Sequence, residues 1–108
     1  MSKVISIDCS GIADWESFHE EFAKIFGFPT GYGRNNAAWV DCMTNLTEMV
    51  GIDLEDDDLV TIQLIGEQGL KRRAPHLLTE LFEMVAFVNY RRLNANEPGR
   101  LCVSAFIE

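Results

Sequence analysis

The chain has 108 residues, 47% of them hydrophobic, and a formal net charge of −8 at pH 7; this size and composition suit one domain, residues 1–108, and argue against disorder. No window holds the roughly 18 or more apolar residues of a membrane span, and the first residues lack the character of a secretory signal, so we expect a cytoplasmic protein without membrane contact. The acidic charge argues against nucleic acid as a partner, because such binding depends on neutralising phosphates, and favours a basic protein.

Residues 3–8 are rich in β-branched side chains that alternate with others, which predicts a first strand. Asp14 then has the side chain and the position of a helix N-cap. The residues after it repeat apolar side chains at spacings of three and four, as an amphipathic helix does; they are Trp15, Phe18, Phe22 and Ile25. Gly27 and Pro29 predict the end of this first helix.

A loop at residues 29–35 carries two glycines and an asparagine, residue types that accommodate positive φ in turns. Asn35 or Asn36 can cap a second helix, which we expect to continue to about Met49. One face of this helix is apolar; it consists of Trp39, Cys42, Met43, Leu46 and Val50. The opposite face should meet solvent or a partner and consists of Ala37, Asp41, Thr44 and Glu48.

Five of the six residues from 53 to 58 are acidic. We expect an exposed loop there, since like charges so close together disfavour burial, and its charges either remain solvated or help to attract a partner. Residues 59–65 are almost continuously apolar and predict a central strand covered on both faces.

The second half of the chain supplies one more helix and one more strand. Residues 66–73 predict a connector with short helical content, and Pro75 fits the first turn of a third helix ending near Leu93. A turn at residues 94–99 precedes a last strand at 101–107. The resulting order, β-α-α-β-α-β, predicts an α/β fold: a single three-layer-like domain with a three-stranded parallel sheet packed with helices and right-handed crossovers.

The sequence lacks the motifs of catalysis and of metal binding. The segment Gly31-Tyr32-Gly33 has neither the third glycine nor the strand-to-helix setting of a dinucleotide fingerprint, and no Gly-x-Ser-x-Gly elbow is present. The cysteines are too widely spaced for a metal motif and fit reduced, mostly buried thiols; they are Cys9, Cys42 and Cys102. The acidic run lacks the glycine-spaced ligands of a calcium loop. We therefore expect no enzyme, no metal and no cofactor.

The most informative pattern lies at residues 32–46. Tyr32-Gly33-Arg34-Asn35 is followed by Trp39 and then Asp41. This pattern resembles the Tyr-Gly-x-Asn motif, aromatic residue and acid of the barstar family of ribonuclease inhibitors. The resemblance extends from the first strand to the closing strand, and residues 87–93 are similar to those of longer, bacterial barstar-like proteins.

The resemblance implies a barstar-like fold and a protein that acts by binding another protein. The expected function is that of an immunity protein that blocks an intracellular ribonuclease or related toxin through an acidic loop-helix face. The alternative is a non-toxin interaction or regulatory module that reuses the fold, because function depends on the site and not on the fold.

The resemblance also implies the location of the binding face: loop 30–36, the exposed side of the second helix and the nearby third helix. In the family's inhibitors, acids on this face stand in for RNA phosphates, and Asp41 matches the central acid. Without the resemblance, Asp41 would be read as an ordinary exposed helix acid. The expected partner-binding residues are Gly31, Tyr32, Gly33, Arg34, Asn35, Ala37, Val40, Asp41, Thr44, Met84 and Val88.

The chain departs from the family pattern at several of these positions. Ala37 stands where the inhibitors carry another acid, Val40 replaces a contacting tryptophan, and Gly31 replaces a loop aromatic. On the third helix, Met84 and Val88 stand, within one residue, where the inhibitors carry acids. Most of the charge complementarity to a barnase-type ribonuclease is therefore missing, and we do not expect strong inhibition of that enzyme.

The third helix also carries more apolar residues than one buried stripe needs. The stripe itself is Leu78, Leu81, Phe82 and Val85. Met84 and Phe87 lie beside it, which leaves two interpretations open. The first is an apolar surface for a partner or for self-association. The second is a helix that is buried all round.

Overall fold

The computed structural model describes residues 2–55 and 58–105. Three strands and five helices are found in this part of the chain. The strands are β1 (Ser2–Asp8), β2 (Leu59–Ile65) and β3 (Leu101–Ala105). The helices are α1 (Trp15–Phe26), α2 (Asn36–Thr44), α3 (Leu46–Met49), α4 (Glu67–Arg73) and α5 (Pro75–Asn94), and a 3-10 turn at Cys9–Gly11 follows β1.

The three strands form one parallel sheet in the order β1-β2-β3. In its register, Ile5 is paired with Ile62, and Ile62 with Val103. Each pair of neighbouring strands is joined through helices, as parallel pairing requires. The predicted α/β fold, its three-stranded parallel sheet and the order β-α-α-β-α-β are confirmed. The last two residues of the predicted closing strand, 106 and 107, lie outside the described residues.

The helices cover one face of the sheet. In β2 the side chains of Val60, Ile62 and Leu64 are buried, whereas Leu59 and Ile65, which point to the other face, are partly exposed. The expectation that β2 is covered on both faces is therefore wrong, and the helices form a single layer against the sheet. An apolar run fixes which strand is central, but it does not fix how many faces are covered.

Aromatic side chains fill the space between α1 and α2. Phe18, Phe22 and Trp39 are at most 1% exposed, and the rings of Phe22 and Trp39 meet edge to face with centroids 5.6 Å apart. Each such side chain stabilises the fold by roughly 1.5–3 kcal/mol relative to an exposed position. The prediction that Trp39 faces the core is confirmed. The aromatic packing fixes α2 against α1 and thereby positions the loop between them.

Both ends of α1 are fixed by local contacts. The Asp14 carboxylate accepts a hydrogen bond from the Ser17 backbone N–H at 2.8 Å, and the Ser17 hydroxyl oxygen accepts one from the Asp14 N–H at 3.1 Å. Gly27 ends the helix with φ 66°, and a Cβ there would lie 3.0 Å from the Gly51 backbone. Only glycine allows this approach of the two segments, which brings the end of α1 against the residues after α3.

The second predicted helix is interrupted at Asn45, which separates α2 from α3. The Thr44 hydroxyl donates to the Val40 carbonyl at 2.7 Å, and the Asn45 side-chain amide donates to the Asp41 carbonyl at 3.0 Å. Side chains that bind nearby backbone groups compete with helical hydrogen bonding, so a continuous helix to Met49 is not formed.

The acidic run is only partly exposed. Asp53 and Glu55 are exposed, but Asp58 is 1% exposed and its carboxylate accepts a hydrogen bond from the Glu55 backbone N–H at 2.9 Å. The expectation of a wholly exposed loop is therefore wrong for Asp58. Residues 56 and 57 lie outside the described residues. None of the helices in the described part of the chain has the length and apolar character needed to cross a lipid bilayer.

Candidate functional site

Tyr32 anchors the loop between α1 and α2. Its ring is half-buried against Phe28, and its hydroxyl lies 2.6 Å from Nδ1 of His19, a residue of α1 that is 2% exposed. Burial raises the pKa of Tyr32 well above its usual range, and burial lowers the pKa of His19. Both side chains are therefore neutral at pH 7. Because its ring is half-buried and its hydroxyl is hydrogen-bonded to His19, Tyr32 holds the loop in place and presents little of its own surface.

The exposed residues of this loop include Gly31, Gly33 and Arg34. Gly31 has φ 93°, and Arg34 has φ 52°, which is uncommon for a residue with a side chain. The Arg34 guanidinium lies 3.4 Å from the Glu20 carboxylate of α1 in an exposed ion pair. The loop thus presents a basic side chain where the acidic character of the sequence would suggest an acid.

Asn35 is the N-cap of α2, so of the two predicted caps, Asn35 and Asn36, the first is confirmed. Its side-chain oxygen accepts a hydrogen bond from the Ala38 backbone N–H at 2.8 Å, and its side-chain nitrogen lies 3.3 Å from the Gly33 carbonyl. These contacts make Asn35 a structural residue of the candidate face. Its presence after Tyr-Gly follows from the need to begin α2 immediately after a tight turn.

Asp41 lies on the exposed side of α2 and is paired within the chain. Its side chain is 64% exposed, and its carboxylate is 3.0 Å from the guanidinium of Arg91 on α5. That guanidinium also lies over the ring of Phe87, 6.0 Å from its centroid. Ala37, one turn earlier, is exposed as well, whereas Val40 is 7% exposed and belongs to the core. No local pattern in the sequence indicates the Asp41–Arg91 pair, since fifty positions separate its members.

The two residues predicted on α5 point inward. Val88 has no exposed surface, so it cannot make the contact that was expected of it, whereas Met84 is 8% exposed and lines a groove between α2 and α5. Their neighbours Glu83 and Phe87 are exposed and occupy the outward positions instead. An almost uniformly apolar helix does not reveal its rotation, so the sequence alone could not show which of these residues face outward.

Two shallow grooves flank Asp41 and its helix. One, of about 300 Å³, lies between α2 and α5 and is lined by Asn36, Val40, Glu80, Glu83, Met84 and Phe87. The other, of about 310 Å³, joins the loop to α2, and its lining includes Gly31, Tyr32, Gly33 and Asp41. The first has an apolar floor beside two carboxylates, a combination suited to an apolar side chain with a basic neighbour.

Thr44 lies at the far end of this face and is half-buried. Its hydroxyl is occupied by the Val40 carbonyl, and its own carbonyl accepts a hydrogen bond from Arg92 at 2.9 Å. Thr44 therefore contributes to the end of α2. The fold thus brings the loop, Asp41 and the grooves together on one face. Thr44, Val40 and Val88 mainly pack beneath that face.

Metal-ligating clusters and the state of the cysteines complete the description of the titratable groups. No group of three or more His, Cys, Asp or Glu side chains that could hold a metal ion occurs in residues 2–55 and 58–105. Burial raises the pKa of the Cys9 thiol to about 11, and burial, with a smaller effect of Asp41, raises the pKa of Cys42. Both thiols are therefore protonated and poorly nucleophilic at pH 7. Cys102 is exposed, and all three cysteines are free.

A family model described as Barstar (barnase inhibitor) matches residues 2–102, nearly the whole chain. No curated protein matches the chain significantly.

Proposed function

Since the chain belongs to the barstar family, whose members are inhibitors that bind a protein, we propose that it is an immunity protein, formed by a single domain over residues 1–108, that blocks an intracellular ribonuclease or related toxin. It acts in the cytoplasm by occupying the toxin's active site and performs no catalysis of its own. The chain's net charge of −8 favours a basic partner of this kind.

The observation that carries the proposal is the exposed Asp41 carboxylate beside the loop at residues 30–36. Asp41 is 64% exposed, and one groove is lined by both Asp41 and the loop glycines. A ribonuclease active site holds arginine or lysine side chains that bind RNA phosphates. Asp41 can accept a bidentate hydrogen bond from such an arginine. Glu83 and Glu80, beside the groove between α2 and α5, add two further carboxylates to the same face.

Co-expression with a ribonuclease toxin encoded beside this protein tests the proposal. Cells that carry both should survive toxin induction, and the purified protein should suppress cleavage of RNA at equimolar ratio. Asp41→Ala should remove most of the protection, and Glu16→Ala, an exposed acid in the first turn of α1, serves as the matched control. Equal killing with and without the protein would show that it confers no immunity.

Inhibition of barnase measures how specific the protein is for its own toxin. Ala37 and Val40 replace an acid and a tryptophan of the family's contact surface, and Val40 is 7% exposed. We therefore expect weak inhibition of barnase alongside strong inhibition of the native toxin. The two measurements separate the general mode of binding from the choice of enzyme.

A second candidate function is that of a non-toxin interaction or regulatory module. The observation that favours it is the Asp41–Arg91 ion pair at 3.0 Å, because it partly neutralises the central acid before any partner arrives. Arg34 adds a second positive charge to the loop. Affinity capture from the native cell distinguishes the two functions. A nuclease supports the immunity function, and a protein without toxin activity supports the regulatory one.

A further inference from the structure

The outward face of α5 is apolar and borders the proposed inhibitory face. Four large side chains on this helix are 47–62% exposed; they are Phe82, Phe87, Tyr90 and Leu93. Phe82, Tyr90 and Leu93 recur with Ala86 at helical spacing on the side opposite the buried residues of the helix. The alternative that α5 is buried all round is therefore wrong. The rings of Phe87 and Tyr90 are stacked, with centroids 6.4 Å apart.

The size of this face suits a small dimer interface. An aromatic side chain has roughly 150–250 Å² to bury, so four large side chains, each about half exposed, present on the order of 400 Å². That is comparable to the largest apolar patch of a typical monomer. Two copies placed face to face would bury on the order of 800 Å² from these side chains alone. Flanking residues raise the total toward the ~1,000 Å² of a specific interface.

The charges beside the apolar face select a second copy of the chain as its occupant. Glu83 and Arg91 lie on the same flank of α5, two helical turns apart, with Phe87 midway between them. In an antiparallel pairing about a two-fold axis near Phe87, this flank of one copy lies beside the same flank of the other copy. The two helices run in opposite directions there. Glu83 of each chain then faces Arg91 of the other, so both ion pairs form at once.

The apolar residues fit the same axis. Phe82 and Leu93 are almost equally far from residue 87 along the helix, so each faces the other across the pair. Tyr90 of one copy lies against Ala86 of the other, where a small side chain leaves room for the ring. A parallel pairing in register would instead place Glu83 against Glu83 and Arg91 against Arg91. Charge and shape therefore favour the same antiparallel arrangement.

We propose that the protein forms a two-fold symmetric homodimer through the outward face of α5, with Phe87 at the axis and reciprocal Glu83–Arg91 ion pairs at its edge. Arg91 keeps its contact with Asp41 in this arrangement, because a guanidinium has five N–H donors. The dimer requires no other protein.

Sedimentation equilibrium of the purified full chain, without any partner, tests the proposal. The protein should show a reversible monomer–dimer equilibrium. Glu83→Arg and Arg91→Glu should each raise the dissociation constant about tenfold or more, because each places like charges together at both ends of the interface. Mixing the two variants should restore dimers, since the introduced arginine of one chain then meets the introduced glutamate of the other.

Val4→Glu is the matched control, because Val4 is 62% exposed on the uncovered face of the sheet, the competing apolar surface. It should leave the dimer unchanged, and circular dichroism should show that every variant is folded. A wild-type chain that stays monomeric at several hundred micromolar would overturn the proposal. So would a dimer that only Val4→Glu disrupts, or a mixture of the two charge variants that stays monomeric. Sedimentation of the chain alone reports on self-association only, and toxin inhibition is measured separately.

Discussion

Asp41 reaches the surface of α2 with a cation of its own chain already beside it. The pair with Arg91 is solvent-exposed on both sides, with Asp41 64% and Arg91 39% exposed. An exposed pair of this kind contributes only about 0–1 kcal/mol to stability. An arginine of a partner can therefore replace Arg91 as the ion-pair partner of Asp41 at a small cost in free energy. Arg91 thereby competes with the partner for the Asp41 carboxylate.

Asp41→Ala should weaken binding to the inhibited toxin by about 2 kcal/mol or more, as the loss of a charged hot-spot residue does in other protein interfaces. The barnase–barstar complex is itself among the interfaces from which that magnitude is known, so the figure is an expectation taken from the family. The physical reason is that the partner's arginine loses its carboxylate within a desolvated interface. Isothermal titration calorimetry of the purified pair gives the measurement. Unchanged affinity would remove Asp41 from the site.

Arg91→Met isolates the effect of the internal pair on the same affinity. It keeps the length of the side chain and removes its charge, which leaves Asp41 free for the partner. We expect tighter binding than wild type for a partner that is basic at this point. In the double variant with Asp41→Ala this gain should vanish, because the removed charge acted through Asp41.

His19 makes the stability of the loop dependent on pH. Burial lowers the pKa of His19 from its ordinary value near 6.5; a side-chain hydrogen bond to Asn36 opposes this with a smaller effect, and the Arg34 charge adds a smaller lowering of its own. The neutral form is thus preferred in the folded protein, and the unfolded chain binds more protons. The contribution of His19 is fully present above about pH 6.5 and is lost as the pH falls through the lowered pKa.

Urea unfolding at pH 7.5 and at pH 5.5 measures this dependence, since few carboxylates titrate between these values. The wild type should be less stable at pH 5.5, and His19→Gln should flatten the difference while lowering stability at both values. His76→Gln, at an exposed histidine, should keep the wild-type difference. A His19→Gln variant with the full wild-type pH dependence would show that another group is responsible.

At the scale of elements, two adjacent arginines at the end of α5 have different roles. Arg92 is 7% exposed and donates to the carbonyls of Thr44 at 2.9 Å and Pro98 at 3.0 Å, which joins the end of α2 to the turn before β3. Arg91, one residue earlier, is half-buried and contacts only surface groups. The rotation of one residue along the helix separates a buried, structural arginine from one at the surface.

Arg92→Met should lower the free energy of unfolding by about 2–3 kcal/mol, because two carbonyls lose a charged donor in a buried setting. Arg91→Met, the matched control, should lower it by less than about 1 kcal/mol. Chemical denaturation of the two variants at pH 7 compares them directly. Equal losses would contradict the division of roles between the neighbouring side chains.

The order of the elements could be predicted from the sequence, but their rotation could not. Helix caps at Asp14 and Asn35 and the apolar spacing of α1 are local signals, and each is found where the sequence placed it. The outward position of Phe82 and the inward position of Val88 depend on how α5 packs on α2. Neither position follows from a helix whose apolar residues lie nearly all round it.

The candidate site shows the same limit. The loop and Asp41 could be predicted because a short motif carries them, whereas Arg91 and Glu83 join the site only through the packing of α5 on α2. No local rule connects positions fifty residues apart. Asp58 is a further example: five acids in six positions predicted exposure, but Asp58 turns inward to accept the Glu55 backbone N–H at 2.9 Å.

At the scale of the whole molecule, the charge is distributed unevenly along the chain. Residues 1–58 hold 12 acidic and 3 basic side chains, a net charge of −9, whereas residues 59–108 hold 5 acidic and 6 basic ones, a net charge of +1. The acidic half contains the loop and α2, so the field of the molecule attracts a basic partner toward the proposed face. Such steering acts on the rate of encounter more than on the lifetime of the complex.

The association rate with a basic toxin should therefore fall by about tenfold between low and high ionic strength, because the Debye length shortens from roughly 30 Å at 0.01 M to 3 Å at 1 M. The dissociation rate should change far less, since short contacts within the interface are poorly screened. Stopped-flow fluorescence at several salt concentrations gives both rates. The double variant Asp53→Asn and Glu55→Gln, at two exposed acids outside the predicted contact set, should slow association and leave dissociation unchanged. An association rate indifferent to salt would mean that contact geometry alone, without the field of the acidic half, governs how the partner is found.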